Sequence, residues 1–266
     1  MDFKPLKIPQ IAINFGFSDR LTGGHMARSM MLSELRLLLA SVPMDANRED
    51  YRSAIINDNI LGKPTFSSRA KSDRHLRELY GLDPSLALFR TLRRFAAEDD
   101  AGLPLIALTC VFCRDQQIRA SFPVIEHLKT GEVLPRILME EHLESAFPDR
   151  FSPIMKSSMA KNCNATWTAA GHLVGRSVKQ KAIPTPRVMA STYAIFAGYL
   201  LGLRGEMLVN SVFARLVGAE ASLVVTHLAT ASRNGWMRFR HAGGVMEIDF
   251  SNLLLPEEEV LLNGSH

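Results

Sequence analysis

The sequence predicts an all-α protein: an N-terminal helix-turn-helix within a helical bundle, then a C-terminal winged-helix module carrying one β-hairpin. Three observations predict this. Apolar residues recur at helical spacing along most of the chain. Between Pro186 and Phe250, three such runs give way at Gly235 to a period of two. A strongly basic segment, Lys63 to Arg77, follows two helical runs and a glycine-containing turn.

Taken in order, residues 1–24 read as an irregular arm, interrupted by Pro5, Pro9, Gly16, Gly23 and Gly24. A helix is expected over Met26–Ala40, with Met30, Leu32, Leu35, Leu38 and Leu39 on its apolar face. Asn47 suits the N-cap of a helix over Arg48–Asn57, because its side chain can accept a free first-turn N–H. Asn59 to Pro64 reads as a turn, and Thr65 or Ser67 then caps a helix running to Tyr80 and stopped by Gly81. Asp83 or Pro84 opens the next helix, through Glu98, and another starts at Gly102-Leu103-Pro104 and reaches about Ala120. Further helices are expected at about Pro123–Leu128, Leu134–Ala146, Ser152–Lys161 and Asn164–Val174.

Arg176 to Pro186, basic and almost without apolar residues, reads as a linker. Helical runs follow over Arg187–Leu203, Glu206–Leu216 and Glu220–Asn234. Trp236 to Arg240 and Val245 to Phe250 are then the strands of a hairpin turning at His241 to Gly244, since Gly-Gly reaches positive φ without a Cβ clash. The domains expected are a 1–24 arm, a 25–175 helical domain with the helix-turn-helix, a 176–186 basic linker, a 187–255 winged-helix module and a 256–266 tail.

The composition is that of an ordinary globular chain: 266 residues, 47% hydrophobic and 22% charged, with a formal net charge of +4. The best apolar run, Ala190–Leu203, is broken by Ser191, Thr192, Gly198 and Gly202, so no membrane is expected as a partner. The first residues lack a signal peptide's apolar core, which points to a cytoplasmic protein.

The basic segment carries the clearest functional signal. Lys63, Arg69, Lys71, Arg74 and Arg77 stand against Asp73 alone, in the slot of a recognition helix. Ser67 and Ser68 lie in its first turn, where hydroxyls and free amides suit phosphate. The alternative is a solvated helix face whose arginines pair with carboxylates such as Glu78. A second set, Arg233, Arg238 and Arg240, lies at the end of the third C-terminal helix and on the hairpin. Arg238 and Arg240 share a strand face with Trp236, so their stems are expected to cover it, with their heads in solvent. The third helix offers mainly Ser222, Thr226, Thr230 and Ser232, a poor set for reading base edges. The alternative for this region is a helical subdomain whose hairpin only closes its core, or which docks a protein.

Cys110-Val111-Phe112-Cys113 has metal-site spacing but no second ligand pair, and reads as buried small hydrophobes on an apolar helix. No nucleophile has an evident base, the eight histidines show no ligand spacing, and Gly202-Leu203-Arg204-Gly205 lacks the Lys-Ser/Thr end of a phosphate loop. No catalytic residue, metal or cofactor is expected.

Five blocks in order carry a resemblance. They are Thr65–Lys71 with His75–Asp83; Leu105–Leu108 through Arg114-Asp115 to Arg119; Trp167–Leu173; Tyr193–Leu200 with Gly202–Gly205; and Gly235-Trp236 with Gly243–Val245 and Glu247–Phe250. Together they resemble the BrxA family of BREX phage-defence systems. The resemblance implies a non-enzymatic, duplex-DNA-binding accessory protein, similar in its helical part to the antitermination factor NusB, with other defence-system proteins as further partners. The rival expectations are a protein-interaction scaffold of such a complex and an RNA-binding protein.

Overall fold

Met31 has φ 51°, in the left-handed region, and there the helix expected over Met26–Ala40 is interrupted. The computed structural model, which describes residues 6–21 and 24–264, has instead a single turn α1 (Gly24–Ala27) and a helix α2 (Leu32–Ser41). Side chains from distant segments satisfy the backbone freed at the break. The Met30 amide donates to Thr166 Oγ1 at 2.9 Å, and the Tyr80 hydroxyl donates to the Met30 carbonyl. Periodicity alone could not reveal such a break.

The next elements follow their local signals. Asn47 caps α3 (Arg48–Ile56) in a reciprocal box with Asp50. Thr65 caps α4 (Phe66–Tyr80) in a box with Ser68, and Gly81 at φ 85° ends it. α5 (Ala87–Glu98) begins later than Asp83 or Pro84. The helix expected from Gly102 to about Ala120 is two, α6 (Leu103–Arg114) and α7 (Gln116–His127). Asp115 separates them, its Oδ1 accepting the Ile118 amide at 3.1 Å. Pro123 sits inside α7 rather than opening a helix of its own.

β1 (Val133–Leu134) leads into α8 (Arg136–Ala146). Ser152 then caps α9 (Pro153–Ala169), one continuous helix where two were expected. β2 (Leu173–Val174) and β3 (Lys179–Lys181) follow. The expected basic linker 176–186 therefore contains the middle strand of an antiparallel sheet ordered β1-β3-β2, with Gln180 between Val133 and Val174. A single β-hairpin is thus an undercount, because strands of two or three residues are too short to show a period.

α10 (Val188–Leu200) is buried at every residue from Met189 to Leu200. The run Glu206–Leu216 is divided into α11 (Glu206–Val209) and α12 (Val212–Leu216), before α13 (Ala221–Arg233). β4 (Arg238–Ala242) and β5 (Val245–Asp249) pair in register, Arg238 opposite Asp249 and Ala242 opposite Val245. Gly243 (φ 59°) and Gly244 (φ 79°) form the two-residue loop between them, which favours glycine at both positions. The expected tail is largely a helix, α14 (Pro256–Asn263), anchored by a partly buried ion pair between Glu258 and Arg90 at 2.5 Å.

The chain forms two discontinuous units rather than consecutive domains. One comprises Ser18–Pro84 and Val111–Pro184, together with Leu6 and Lys7; the other comprises Ile8–Phe17, Ser85–Cys110 and the chain from Thr185 onward. The N-terminal arm is thus partly core: a 3₁₀ turn over Gln10–Phe15 buries Ala12 and Phe15 in the second unit. In the first unit, Trp167 stacks on Phe122 at 5.7 Å and donates its indole N–H to Ser121 Oγ at 2.8 Å. In the second, Phe95, Tyr193, Phe196 and Phe250 form a run of ring contacts, and the Tyr193 hydroxyl donates to the Leu88 carbonyl at 2.9 Å. Each such ring, fully buried, contributes about 1.5–3 kcal/mol. No single helix among the described residues is long and apolar enough to cross a membrane.

Candidate nucleic-acid interface

α4 divides sharply between an inner and an outer face. Ser72, Asp73, His75, Leu76, Leu79 and Tyr80 are buried. At about 100° per residue, Phe66, Ala70, Arg74, Ser67 and Lys71 occupy the opposite arc, about 140° wide. Phe66, Ser67, Lys71 and Arg74 are exposed, Phe66 at 64% of its surface. The Arg74 guanidinium keeps only a loose contact, 3.9 Å, with Glu78 one turn on.

The remaining residues of the basic segment are anchored within the protein. Lys63 Nζ lies 3.1 Å from Glu34 Oε1. Arg69 Nη1 donates to the Ile56 carbonyl at 2.8 Å. Arg77 Nη2 meets the buried carboxylate of Asp73 at 2.6 Å. The Ser68 hydroxyl accepts the Thr65 amide at 3.1 Å and donates to the Thr65 carbonyl at 2.7 Å, so the capping box occupies it. Of the residues expected to meet phosphate here, the outer arc brings together Ser67, Lys71 and Arg74. Lys63, Ser68, Arg69 and Arg77 have structural work instead. Phe66 was no part of that expectation; its only sequence signal was an aromatic residue between a cap and a basic run.

The hairpin presents its cations differently. Arg238 and Arg240 point into solvent, as expected, but each faces an acid across the ladder. Arg238 Nη2 lies 2.6 Å from Asp249 and donates to Ser251 Oγ at 2.7 Å, while Arg240 is 4.0 Å from Glu247. Burial would raise the Asp249 carboxyl, but the Ser251 amide and hydroxyl and the Arg238 charge outweigh it and hold it below the usual carboxylate range. Trp236 is met by other groups than those expected, packing edge-on to Phe95 at 5.3 Å with the Arg94 guanidinium 5.7 Å from its ring. On the return strand Ile248 and Phe250 are buried and Met246 is half-buried.

On α13, Thr226 and Thr230 donate to the carbonyls of Ser222 and Thr226, and Arg233 donates to Thr230 Oγ1 at 3.0 Å. The exposed side of this helix is therefore largely self-satisfied.

One buried arrangement escaped the sequence altogether. His25 Nδ1 lies 3.0 Å from Asp115 Oδ2, and His25 Nε2 lies 2.8 Å from Thr166 Oγ1. A hydroxyl, an imidazole and a carboxylate in line have the order of a hydrolytic triad. All three are sealed from solvent, however, and Thr166 Oγ1 also accepts the Met30 amide. The trio ties α1 to the start of α7 and to α9. Residues so far apart in the chain leave no spacing to read.

Cys110, Cys113 and Cys163 are buried and form no disulfide, and among the described residues no group of His, Cys, Asp or Glu is placed to hold a metal ion. A cavity of about 1100 Å³ in the first unit is lined by Lys7, Arg119, His142 and Arg150 among others. Arg119 is committed there to Asp19 at 2.9 Å and to the Phe112 and Ser18 carbonyls.

No protein-family model matches the chain, and no curated protein matches it closely enough to count as a relative.

Proposed function

We propose that this protein is a non-enzymatic, cytoplasmic duplex-DNA-binding accessory factor of a BREX-like phage-defence system, working beside other proteins of that system. One observation carries the DNA reading. The helix following α2, α3 and a glycine turn turns Ser67, Lys71 and Arg74 outward on one arc while its other cations are anchored inside. A recognition helix in a helix-turn-helix would need that slot and polarity, which supports the reading. The resemblance of five ordered sequence blocks to BrxA supports the setting.

In this reading α10 to β5 form a winged helix with a lesser part in binding. Arg233 ends α13, the last of its helices, and Arg238 and Arg240 reach phosphate only by sharing their charge with Asp249 and Glu247. The same pairing favours a second reading for this end of the chain, docking of a partner protein. Around its neutralised charges the hairpin and α13 expose Val245 and Leu223.

The test is a gel shift of the full chain with random duplex DNA at low and moderate salt. Affinity should fall steeply with salt as counterions are released. Absence of binding at low salt, or preference for RNA in competition, would remove the DNA reading.

A further inference from the structure

An aromatic ring left in water at the head of a charged helix face is unusual enough to ask what it meets. Phe66 is the first residue of α4 and 64% exposed, while the helix's inner face is already filled by Leu76, Leu79 and Tyr80. Nothing in the helix start requires it: the capping box uses only Thr65 and Ser68, and the first helical position suits many residues. A phenylalanine there forgoes a large burial. Its surroundings narrow the choice of partner. Ala70, one turn on, is small enough to let another surface approach the helix backbone, and Arg74, two turns on, and Lys71 at the edge of the arc are both cationic. The complement of this face is anionic at its flanks and apolar at the point facing the N-terminal turn.

We infer that Phe66 reads duplex DNA by packing on the C5-methyl group of thymine in the major groove, while Lys71 and Arg74 hold the flanking phosphates. The inference rests on the DNA-binding reading and adds its base contact. In helix-turn-helix proteins the N-terminal residues of the recognition helix meet base edges, and the thymine methyl is the apolar feature the major groove offers there. Phosphate contacts alone carry no sequence information, so a preference for methylated pyrimidine must come from a group such as this ring.

The experiment compares the full chain with Phe66→Ala on four duplexes of equal length: alternating A and T, the same with deoxyuridine for every thymidine, alternating G and C, and the same with 5-methylcytosine for every cytosine. Wild-type protein should bind the deoxyuridine duplex about three- to tenfold more weakly than the thymidine duplex. The 5-methylcytosine duplex should bind more tightly than its unmethylated form. Phe66→Ala should abolish both differences, with an unchanged melting temperature because the ring packs little against its own chain. A Lys71→Ala, Arg74→Ala pair should lower affinity for every duplex alike and keep the methyl preference. If wild-type protein binds no duplex at low salt, the DNA reading itself fails. If it binds but ignores the methyl group, or if Phe66→Ala keeps the preference, DNA binding stands and the role of Phe66 is overturned.

Discussion

Arg69 of α4 donates Nη1–H to the carbonyl of Ile56, the last residue of α3, at 2.8 Å. A helix's final carbonyls lack partners within the helix, and here a neighbouring helix supplies a charged donor. Arg69→Ala should therefore act on stability, lowering it by about 1–2 kcal/mol, the scale of a partly buried hydrogen bond to a charged group. The melting temperature should fall while the salt dependence of DNA binding stays as in the wild type. An altered salt slope with an unchanged melting temperature would place Arg69 at the phosphates instead.

Lys71 and Arg74 should behave in the opposite way. Both are exposed, and the 3.9 Å contact of Arg74 with Glu78 is of a kind worth no more than about 1 kcal/mol. Replacing both by alanine should leave melting almost unchanged and weaken binding to all duplexes alike. It should also reduce the slope of log K against log salt by about 0.9 for each phosphate no longer neutralised. Titration at several salt concentrations measures it, and an unchanged slope would refute the assignment.

Asp115 links stability to acid. Burial alone would raise its carboxyl, but the charge and hydrogen bond of His25, the Ile118 amide and the Arg119 charge prevail and hold it below the ordinary range. A carboxyl depressed in the folded state adds stability that is full above its unfolded value, about 3.9, and is lost as pH falls through the lower folded value. Melting followed from pH 6 to pH 2 should show this loss in the wild type. Asp115→Asn should be less stable at neutral pH by about 3–5 kcal/mol, the cost of breaking a buried pair, and should lack that component of the acid response. A variant as stable as wild type at pH 7 would show that the trio contributes little.

The three thiols should be silent in the native protein. Cys110, Cys113 and Cys163 are buried, and burial together with the nearby Asp115 charge pushes the Cys163 thiol up, away from the reactive thiolate. A thiol reagent at pH 8 should modify none of them quickly, and all three on denaturation. A Cys110→Ala, Cys113→Ala pair should bind DNA as wild type with a modest loss of stability. Stoichiometric zinc that disappears in this pair would contradict the structural role.

What the sequence made legible was local. Asn47, Thr65 and the Gly243-Gly244 turn act through neighbours within four residues, and each sits where its chemistry predicts. What stayed hidden depends on distant partners. The break at Met31 is held by Thr166 and Tyr80, and β3 becomes a strand only because Val133 and Val174 flank Gln180. The basic segment was visible as charge. Which of its cations turn outward was not, because that depends on the Ile56 carbonyl, Glu34 and the buried Asp73.

The interleaved units carry a consequence for how the chain is made. Ala12 and Phe15 belong to the same unit as Ser85–Cys110 and as the chain from Thr185 onward. On a ribosome adding roughly 5–20 residues per second, these two side chains emerge on the order of ten seconds or more before α10 exists to complete their surroundings. The earliest part of the second unit must wait, unprotected, while most of the first is synthesised. Its final assembly joins residues far apart in the chain, a kind of closure that is slow and exposes apolar surface meanwhile. Residues 187–255 produced alone would lack α5 and the Gln10–Phe15 turn, so this stretch should depend on the rest of the chain to fold.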